Sequence, residues 1–143
     1  MLDIDGTLVG RRQLVSAENR KALDEARQTG VQVSISTGRS LKSSLQIMNQ
    51  LSLDSYHIFF DGALVSRADL SEEVYVQPIA KDTVRQMIEF TGEHDIDLEL
   101  FTATRYFAGR ETWSTLAHEQ FFGVKATIGD LTDLWKNERI VKG

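Results

Sequence analysis

The sequence predicts an α/β fold, in which a Rossmann-like parallel sheet with flanking helices is combined with a smaller α+β domain. Two features of the chain lead to this prediction. From the N-terminus to about residue 60, segments of strand and helix character alternate with short connections, which is the order of a helix-covered parallel sheet with right-handed crossovers. After Pro78 the order changes to helix–strand–strand–helix–strand. We therefore predict one domain over residues 1–80 and a second over residues 81–143.

Local signals define the elements of the first domain. Ser16 can cap a helix whose end is marked by Gly30, because serine accepts hydrogen bonds from the first amides and glycine permits the left-handed turn at a helix end. Val31, Val33 and Ile35 alternate along one face of a strand. In order, the predicted elements are a strand over 1–4, a helix over 17–28, a strand over 31–36, a helix over 41–51, a strand over 56–60 and an extended ribbon over 63–79.

A change of periodicity predicts the second domain. Val84 and Ile88 lie on one face of a helix, at the spacing of one helical turn. Ile96, Leu98 and Leu100 alternate as a strand does. The elements that follow are, in order, a hairpin partner over 102–108, a helix over 111–122 and an extended segment over 124–128.

The composition limits the classes of function. The chain has 143 residues, a net charge of −5 and no cysteine. Nucleic acids and anionic membranes require a basic face, so we expect neither as a partner, and without cysteine neither a disulfide nor a thiolate zinc site is possible. The sequence has no apolar run of membrane-spanning length and no signal-peptide pattern. We therefore expect a cytoplasmic protein.

The strongest chemical signal is the segment Asp3-Ile4-Asp5-Gly6-Thr7-Leu8, at the end of the first predicted strand. Two carboxylates at the carboxyl end of a parallel strand face the crevice in which such sheets bind ligands. Magnesium takes one or two carboxylates together with waters and substrate phosphate. One carboxylate can attack phosphorus, and the other can transfer protons. Gly6 lets the backbone approach a phosphoryl group, and Thr7 supplies a hydroxyl beside it.

A second polar segment, Ser36-Thr37-Gly38-Arg39, ends the second predicted strand and precedes a helix. A hydroxyl and a backbone amide at a helix N-terminus form a binding site for phosphate. Arg39 can either stabilise a bound anion or pair with a neighbouring carboxylate, and the sequence leaves both open. The predicted phosphate-binding residues are Gly6, Thr7, Thr37, Gly38 and Arg39.

These two segments resemble the first two motifs of the haloacid dehalogenase (HAD) superfamily. Its first motif is Asp-x-Asp-x-Thr followed by Leu or Val after the first strand, and its second is a Ser or Thr at the end of the second strand, which Thr37 matches. The resemblance implies that Asp3 is the catalytic nucleophile and a ligand of Mg²⁺. It also implies that Asp5 is the general acid/base and binds the same metal through its backbone carbonyl.

The order of the two predicted domains resembles the Cof-like branch of this superfamily, in which a large α+β cap of the C2B type is inserted after the third strand. Asp61-Gly62-Ala63 stands where that branch often has Asn-Gly-Ala, and Asp61 could instead cap a turn. In the predicted cap, Arg105, Tyr106 and Trp113 could either reach the leaving group of a substrate or serve the packing and surface of that domain.

The superfamily also has a third-motif lysine and a fourth-motif acidic pair downstream of the cap. Asp130 and Asp133 lie too close in sequence for that pair, and we expect them not to be the motif. Lys125 and Lys142 fit the third motif only if the cap is very small. The resemblance therefore implies that the chain is the N-terminal half of a complete enzyme, inactive by itself.

The function implied by the resemblance is a magnesium-dependent phosphatase. It would hydrolyse a small phosphorylated metabolite, such as a sugar phosphate or a nucleotide-like cofactor, through an aspartyl-phosphate intermediate. A phosphomutase of the same superfamily and a non-catalytic binding module built from a HAD core stay open as alternatives. A dehalogenase is disfavoured, because its chemistry has no alkoxide for Asp5 to protonate.

Overall fold

The computed structural model describes residues 1–10 and 13–143. The chain forms two compact units, Met1–Val76 and Gln77–Gly143. None of the helices in the described part of the chain is both long and apolar enough to cross a membrane. Each unit contains helices and a sheet, so the predicted α/β class is confirmed.

The division between the units lies a few residues before the predicted boundary at residue 80. The backbone explains this position, since the Ile79 N–H donates a hydrogen bond to the Ile140 carbonyl (2.8 Å). This bond ties the segment before the first helix of the second unit to residues near the end of that same unit. The assignment of the two units as a HAD core and a cap stays a prediction.

The first unit is built around a mixed sheet. Its elements are the helices α1 (Ala17–Gln28) and α2 (Leu41–Gln50), the strands β1 (Tyr56–Phe59), β2 (Leu64–Arg67) and β3 (Glu73–Val76), and a 3-10 turn over Phe60–Gly62. The strands are hydrogen-bonded in the order β1-β2-β3, and both pairs are antiparallel. The β2–β3 hairpin, over residues 64–76, therefore forms most of the ribbon predicted over 63–79, and residues 77–79 belong to the second unit.

Two extended segments add a parallel part to this sheet. Leu2 forms backbone hydrogen bonds with Ser34 (2.9 Å) and Ser36 (2.8 Å), and the Ile58 N–H of β1 donates to the Ile35 carbonyl (2.9 Å). The bridges that join these segments are parallel. The predicted strand–helix–strand–helix–strand order with parallel pairing is thus confirmed.

The paired parts of the first two segments are shorter than predicted. Along residues 31–36, Val33 and Ile35 are buried, but Val31 is 54% exposed and lies outside the sheet. A side chain also replaces part of the ladder, because the Ser55 hydroxyl donates to the Val33 carbonyl (2.8 Å). Because the Ser55 side chain occupies a carbonyl that a neighbouring strand would otherwise bind, this segment forms isolated bridges instead of a continuous ladder.

The two helices of the first unit begin at serine caps. The Ser16 side chain accepts a hydrogen bond from the Asn19 N–H (3.1 Å), and α1 occupies the predicted residues. Ser40 caps α2 by accepting from the Ser43 N–H (3.1 Å). The core that α2 helps to form contains apolar side chains with almost no exposure: Ile4, Ile35, Ile47, Met48, Phe59 and Leu64.

The second unit follows the predicted helix–strand–strand–helix–strand order. It consists of α3 (Lys81–Glu93), β4 (Glu99–Phe101), β5 (Tyr106–Ala108), α4 (Trp113–Phe122), β6 (Thr127–Ile128) and α5 (Leu134–Asn137). β5 pairs with β4 in antiparallel and with β6 in parallel orientation. Val84, Leu100, Phe107 and Ile140 form its apolar core. The short helix α5 was not predicted, because four residues are too few for a periodic signal.

Candidate active site

The predicted site residues of the first unit follow its parallel segments directly. Asp3 comes after the first segment, Thr37 after the second and Asp61 after β1. Backbone hydrogen bonds join the last two segment ends, since Thr37 donates to the Ile58 carbonyl (3.0 Å) and the Asp61 N–H donates to the Thr37 carbonyl (3.2 Å). The structure therefore brings these polar residues to the carboxyl edge of the sheet, where open α/β sheets bind ligands.

The loop after Asp3 is a tight turn anchored in the core. The Ile4 carbonyl accepts hydrogen bonds from the amides of Leu8 and Val9 (both 3.0 Å), and both of those side chains are buried. Asp3 and Asp5 are exposed on the outer side of this turn. The turn thus presents both carboxylates to solvent on a fixed backbone.

Gly6 has a role in the turn that was not predicted from the sequence. Its φ is +78°, a conformation that side chains rarely adopt. A Cβ at this position would meet nothing within 4 Å, and the Gly6 N–H already donates to the Val9 carbonyl (3.0 Å). The glycine therefore serves the turn itself, and its predicted contact with phosphate stays a prediction, as does that of Thr7.

Arg39 pairs with Asp5, which is one of the two roles that the sequence left open. Its Nε lies 2.6 Å from Asp5 Oδ2, and its Nη2 donates to Asp5 Oδ1. Nη2 also donates to Gln13 Oε1 (2.5 Å), and Nη1 donates to the Ser43 carbonyl (3.3 Å). The Arg39 side chain is 8% exposed and the Asp5 side chain 56%. The guanidinium therefore lies behind the carboxylate, away from solvent.

This pairing sets the ionisation of Asp5. The hydrogen bonds from Arg39 lower the pKa of the Asp5 carboxyl below its ordinary value, while its partial burial acts in the opposite direction. The positive charge of Arg39 and a hydrogen bond from Gln13 lower this pKa further. The ionised form of Asp5 is therefore favoured.

Thr37 is buried, and its hydroxyl accepts a hydrogen bond from the Arg39 N–H (3.2 Å). The hydroxyl keeps its own hydrogen, which can be donated to an anion. The helix α2 begins only at Leu41, after the Ser40 cap. A phosphate site at Thr37 and Gly38 would consequently be formed by the turn before the helix and not by the first amides of α2.

Asp61 lies against this turn, which the sequence analysis did not foresee. A Cβ on Gly38 would lie 2.6 Å from Asp61 Oδ1 and 3.1 Å from Oδ2. Asp61 has a left-handed backbone (φ 55°, ψ 29°), and the Phe60 N–H donates to the Arg39 carbonyl (3.0 Å). The one sequence signal that pointed to a special role for Asp61 was the aspartate itself, which replaces the asparagine of the Asn-Gly-Ala pattern of the Cof-like branch.

The donor set of the site suits a magnesium ion in chemical type. Asp3 offers an exposed carboxylate, and Mg²⁺ needs only one or two carboxylates beside waters and phosphate. The Asp5 carboxylate is held by Arg39, which agrees with a metal bond through its backbone carbonyl. Within residues 1–10 and 13–143, no group of three or more His, Cys, Asp or Glu side chains is arranged to hold a metal.

The other residues considered in the sequence make local contacts within the second unit. Arg105 pairs with Glu138 (2.5 Å), Tyr106 is 3% exposed and Trp113 is 83% exposed. Asp130 accepts a hydrogen bond from the Thr132 N–H (2.8 Å), as in a turn formed around an aspartate side chain. Asp133 pairs with Lys136 three residues later in the chain. Arg105, Asp130 and Asp133 thus make the contacts of turn and surface residues, whereas Tyr106 is buried.

The sequence of the chain is similar to those of known proteins. A sequence model of the haloacid dehalogenase-like hydrolases matches residues 1–142. A 5-amino-6-(5-phospho-D-ribitylamino)uracil phosphatase of Bacillus subtilis (strain 168) is 32% identical over 147 aligned positions, which cover 97% of this chain and 58% of the relative.

Solved structures show the same fold. A protein from Geobacillus kaustophilus HTA426 superposes with a TM-score of 0.80 at 24% identity, covering 96% of this chain and 53% of that one. A haloacid dehalogenase-like hydrolase from Bacteroides thetaiotaomicron superposes with a TM-score of 0.78 at 15% identity, covering 90% and 50%. The chain thus spans about half the length of these proteins. Because the family model matches nearly every residue, the chain belongs to the haloacid dehalogenase-like hydrolase family.

Proposed function

We propose that the protein is a magnesium-dependent phosphatase that hydrolyses a small phosphorylated metabolite through an aspartyl phosphate on Asp3. The observation that carries the proposal is the exposed turn that holds Asp3 and Asp5 at the carboxyl edge of the sheet, with Asp5 fixed by Arg39. Membership of a family of hydrolases supports it. The cytoplasmic location and the absence of nucleic-acid and membrane partners stay predictions.

The proposed reaction has two steps, each assigned to residues of this turn. In the first, the Asp3 carboxylate attacks phosphorus, the bond to the leaving oxygen breaks, and Asp5 gives that oxygen a proton. In the second, water attacks the same phosphorus and gives a proton to the Asp5 carboxylate, while the bond to Asp3 breaks. Inorganic phosphate leaves and both aspartates return to their initial states.

The phosphoryl group would be bound by residues of both turns. The Thr37 hydroxyl, the Gly38 amide, the Gly6 backbone and the Thr7 side chain are the proposed contacts. A bound Mg²⁺, held by Asp3 and the Asp5 carbonyl, would neutralise charge on the phosphoryl oxygens. The reduced pKa of Asp5 keeps its carboxylate ionised for the second step, and it opposes the first step, in which Asp5 must carry a proton.

The proposed substrate class is a sugar phosphate or a nucleotide-like phosphate ester. The relative from Bacillus subtilis is named for a phosphorylated ribityl compound, and a structural neighbour is described as a sugar phosphatase. A phosphorylated ribityl compound and a sugar phosphate are both phosphate esters of polyhydroxylated small molecules. These names support a substrate of the same chemical class.

The test is hydrolysis of p-nitrophenyl phosphate with and without Mg²⁺ by the full-length protein and by its Asp3→Asn variant. An amide cannot form the aspartyl phosphate, so we expect a loss of more than about a thousandfold. Asp24→Asn is the matched control, since Asp24 lies on the surface of α1 and pairs with Arg27. Retention of a tenth of the activity in Asp3→Asn would contradict the proposal. Transfer of the phosphoryl group to a second sugar, without release of inorganic phosphate, would identify a phosphomutase instead.

A further inference from the structure

We propose that Arg39 and Gln13 are positioning residues, which hold the Asp5 carboxylate in the orientation needed for proton transfer. The inference rests on the proposed function, because it concerns how Asp5 is made ready for its part in the reaction. It differs from the predicted role of Arg39 as a phosphate ligand. Three observations support the inference: the contacts of the Arg39 guanidinium, the burial of the Arg39 side chain, and the hydrogen bonds that hold Gln13.

The guanidinium of Arg39 is almost fully engaged by protein groups. Two of its hydrogen bonds go to the two oxygens of Asp5, one goes to Gln13 Oε1 and one to the Ser43 carbonyl. An arginine has five N–H donors, so at most one lies outside these four bonds. A planar fork bound to both oxygens fixes the rotation of a carboxylate, which a single hydrogen bond does not.

Burial also separates the two possible roles of Arg39. With 8% of its side chain exposed, Arg39 lies beneath Asp5, whose side chain is 56% exposed. A phosphate ester that enters from solvent would therefore meet the carboxylate before it meets the guanidinium. This geometry suits a residue that acts through Asp5.

Gln13 is itself held in place from α2. The Gln50 side chain donates to the Gln13 carbonyl (3.4 Å) and accepts from the Val15 N–H (3.1 Å). Val9 and Val15 form an antiparallel bridge, which returns the chain to the turn that carries Asp5. The Gln13 side chain accepts a hydrogen bond from the same guanidinium that binds Asp5. The Asp5 carboxylate is thus held directly by Arg39 and, through Arg39, by Gln13 from a separate part of the chain.

The experiment compares two phosphate esters that differ in their need for a proton. p-Nitrophenolate leaves with little protonation, whereas the alkoxide of glycerol 2-phosphate requires it. For Arg39→Gln we expect kcat/KM to fall on the order of a hundredfold with glycerol 2-phosphate, the scale of a misplaced catalytic group, and by far less with p-nitrophenyl phosphate. Arg39→Lys should recover part of the loss, since it keeps the charge without the fork. For Gln13→Met we expect the same pattern, with a larger fall of kcat/KM for glycerol 2-phosphate than for p-nitrophenyl phosphate, but the difference should be smaller than in Arg39→Gln.

A second measurement does not depend on turnover. Calorimetric titration with inorganic phosphate in the presence of Mg²⁺ should give dissociation constants within about twofold of the unmutated protein for Arg39→Gln and Gln13→Met. In an Asp5→Asn background, Arg39→Gln should cause no further loss of kcat/KM, because residues that act as one unit are not additive. Arg85→Gln is the matched control, since Arg85 pairs with Asp82 and Glu89 on the surface of α3.

Three results would overturn the inference. Equal losses for both esters together with a weaker affinity for inorganic phosphate would make Arg39 a phosphate ligand. An additional loss in the Asp5→Asn background would show that Arg39 does not act through Asp5. If Arg39→Gln fails to fold, Gln13→Met becomes the deciding variant. An unchanged ratio of the kcat/KM values for the two esters in Gln13→Met would then contradict the inference. A full-length protein without phosphatase activity on either ester would instead refute the proposed function, which is a distinguishable outcome.

Discussion

Gly38 and Asp61 lie in such close contact that a single methyl group on residue 38 would fall 2.6 Å from Asp61 Oδ1. The contact joins the turn after the second parallel segment to the turn after β1. It explains the glycine at position 38 by space alone, since Gly38 is not among the residues with positive φ. The carboxylate of Asp61 therefore borders the proposed phosphate site.

We expect Gly38→Ala to destabilise the protein by about 0.5–1.5 kcal/mol, the cost of a strained rotamer, because the exposed Asp61 side chain must turn away from the added methyl group. The measurement is the free energy of unfolding in urea. Asp61→Gly removes the carboxylate and tolerates the left-handed backbone at position 61. In the double variant Gly38→Ala/Asp61→Gly, the cost of the alanine should largely disappear. A cost that is the same with and without Asp61 would show that the alanine collides with something else.

A second prediction concerns the side chain of Asp5. Because that side chain is bound to Arg39, we expect Asp5→Asn to leave the fold and the magnesium affinity intact. Turnover should fall by about a hundredfold to ten-thousandfold, the usual contribution of a general acid/base. Calorimetry measures the metal affinity and steady-state kinetics the turnover. If Asp5→Asn loses its affinity for Mg²⁺ while it remains folded, the Asp5 side chain is a metal ligand and not a free proton carrier.

Sequence signals close together in the chain predicted the fold well. The helix over 17–28 was found at its observed bounds, because Ser16 and Gly30 mark its ends within a few residues. The two site segments could be predicted for a similar reason, since each follows directly on an apolar strand. Asp3 and Thr37 therefore reached the same edge of the sheet, as expected from parallel strands.

Contacts between distant residues could not be predicted in the same way. Arg39 and Asp5 are 34 residues apart in sequence, and their pairing depends on the register between two segments. The same holds for Gly38 and Asp61, which meet because their turns adjoin. The positive φ of Gly6, which serves the turn, was likewise not predicted. Such details depend on the folded backbone and not on residue type alone.

A third prediction tests the local signal at the start of α1. The Ser16 side chain satisfies the Asn19 N–H, and removal of such a cap costs about 1 kcal/mol, within a range of about 0.5–2. We expect Ser16→Ala to lower the free energy of unfolding by this amount and Ser16→Asp to retain most of it. Urea unfolding of the three proteins provides the comparison. Equal stability of Ser16→Ala and the unmutated protein would mean that tertiary packing alone defines this helix end.

The last prediction concerns the buried His57 on β1. Its side chain is 0% exposed, and its Nδ1 accepts a hydrogen bond from the Ile35 N–H (3.1 Å). The neutral ring therefore carries its hydrogen on Nε2. Among the residues that the structure describes, neither this Nε2 nor the Oγ of Ser66, its cross-strand neighbour, has a hydrogen-bond partner.

Protonation of His57 would place a second N–H against the Ile35 N–H and a charge in the core. Burial accordingly lowers the pKa of His57 below its ordinary value of 6.5, and the charge of Arg67 acts in the same direction, while that of Asp54 opposes it. Above pH 6.5 the ring is neutral in both the folded and the unfolded chain. As the pH falls below that value, the unfolded chain takes up a proton that the folded chain does not.

The free energy of unfolding should therefore fall with decreasing pH, by at most about 1.4 kcal/mol per pH unit for one proton. The decrease should begin near pH 6.5 and end at the lowered pKa of the folded state. We expect urea unfolding between about pH 7.5 and 5.5, above the range in which carboxylates titrate, to show this decrease in the unmutated protein. His57→Gln, which keeps an acceptor for Ile35 but cannot take up a proton, should show a smaller decrease. If both proteins lose the same free energy over this interval, His57 is not the group responsible.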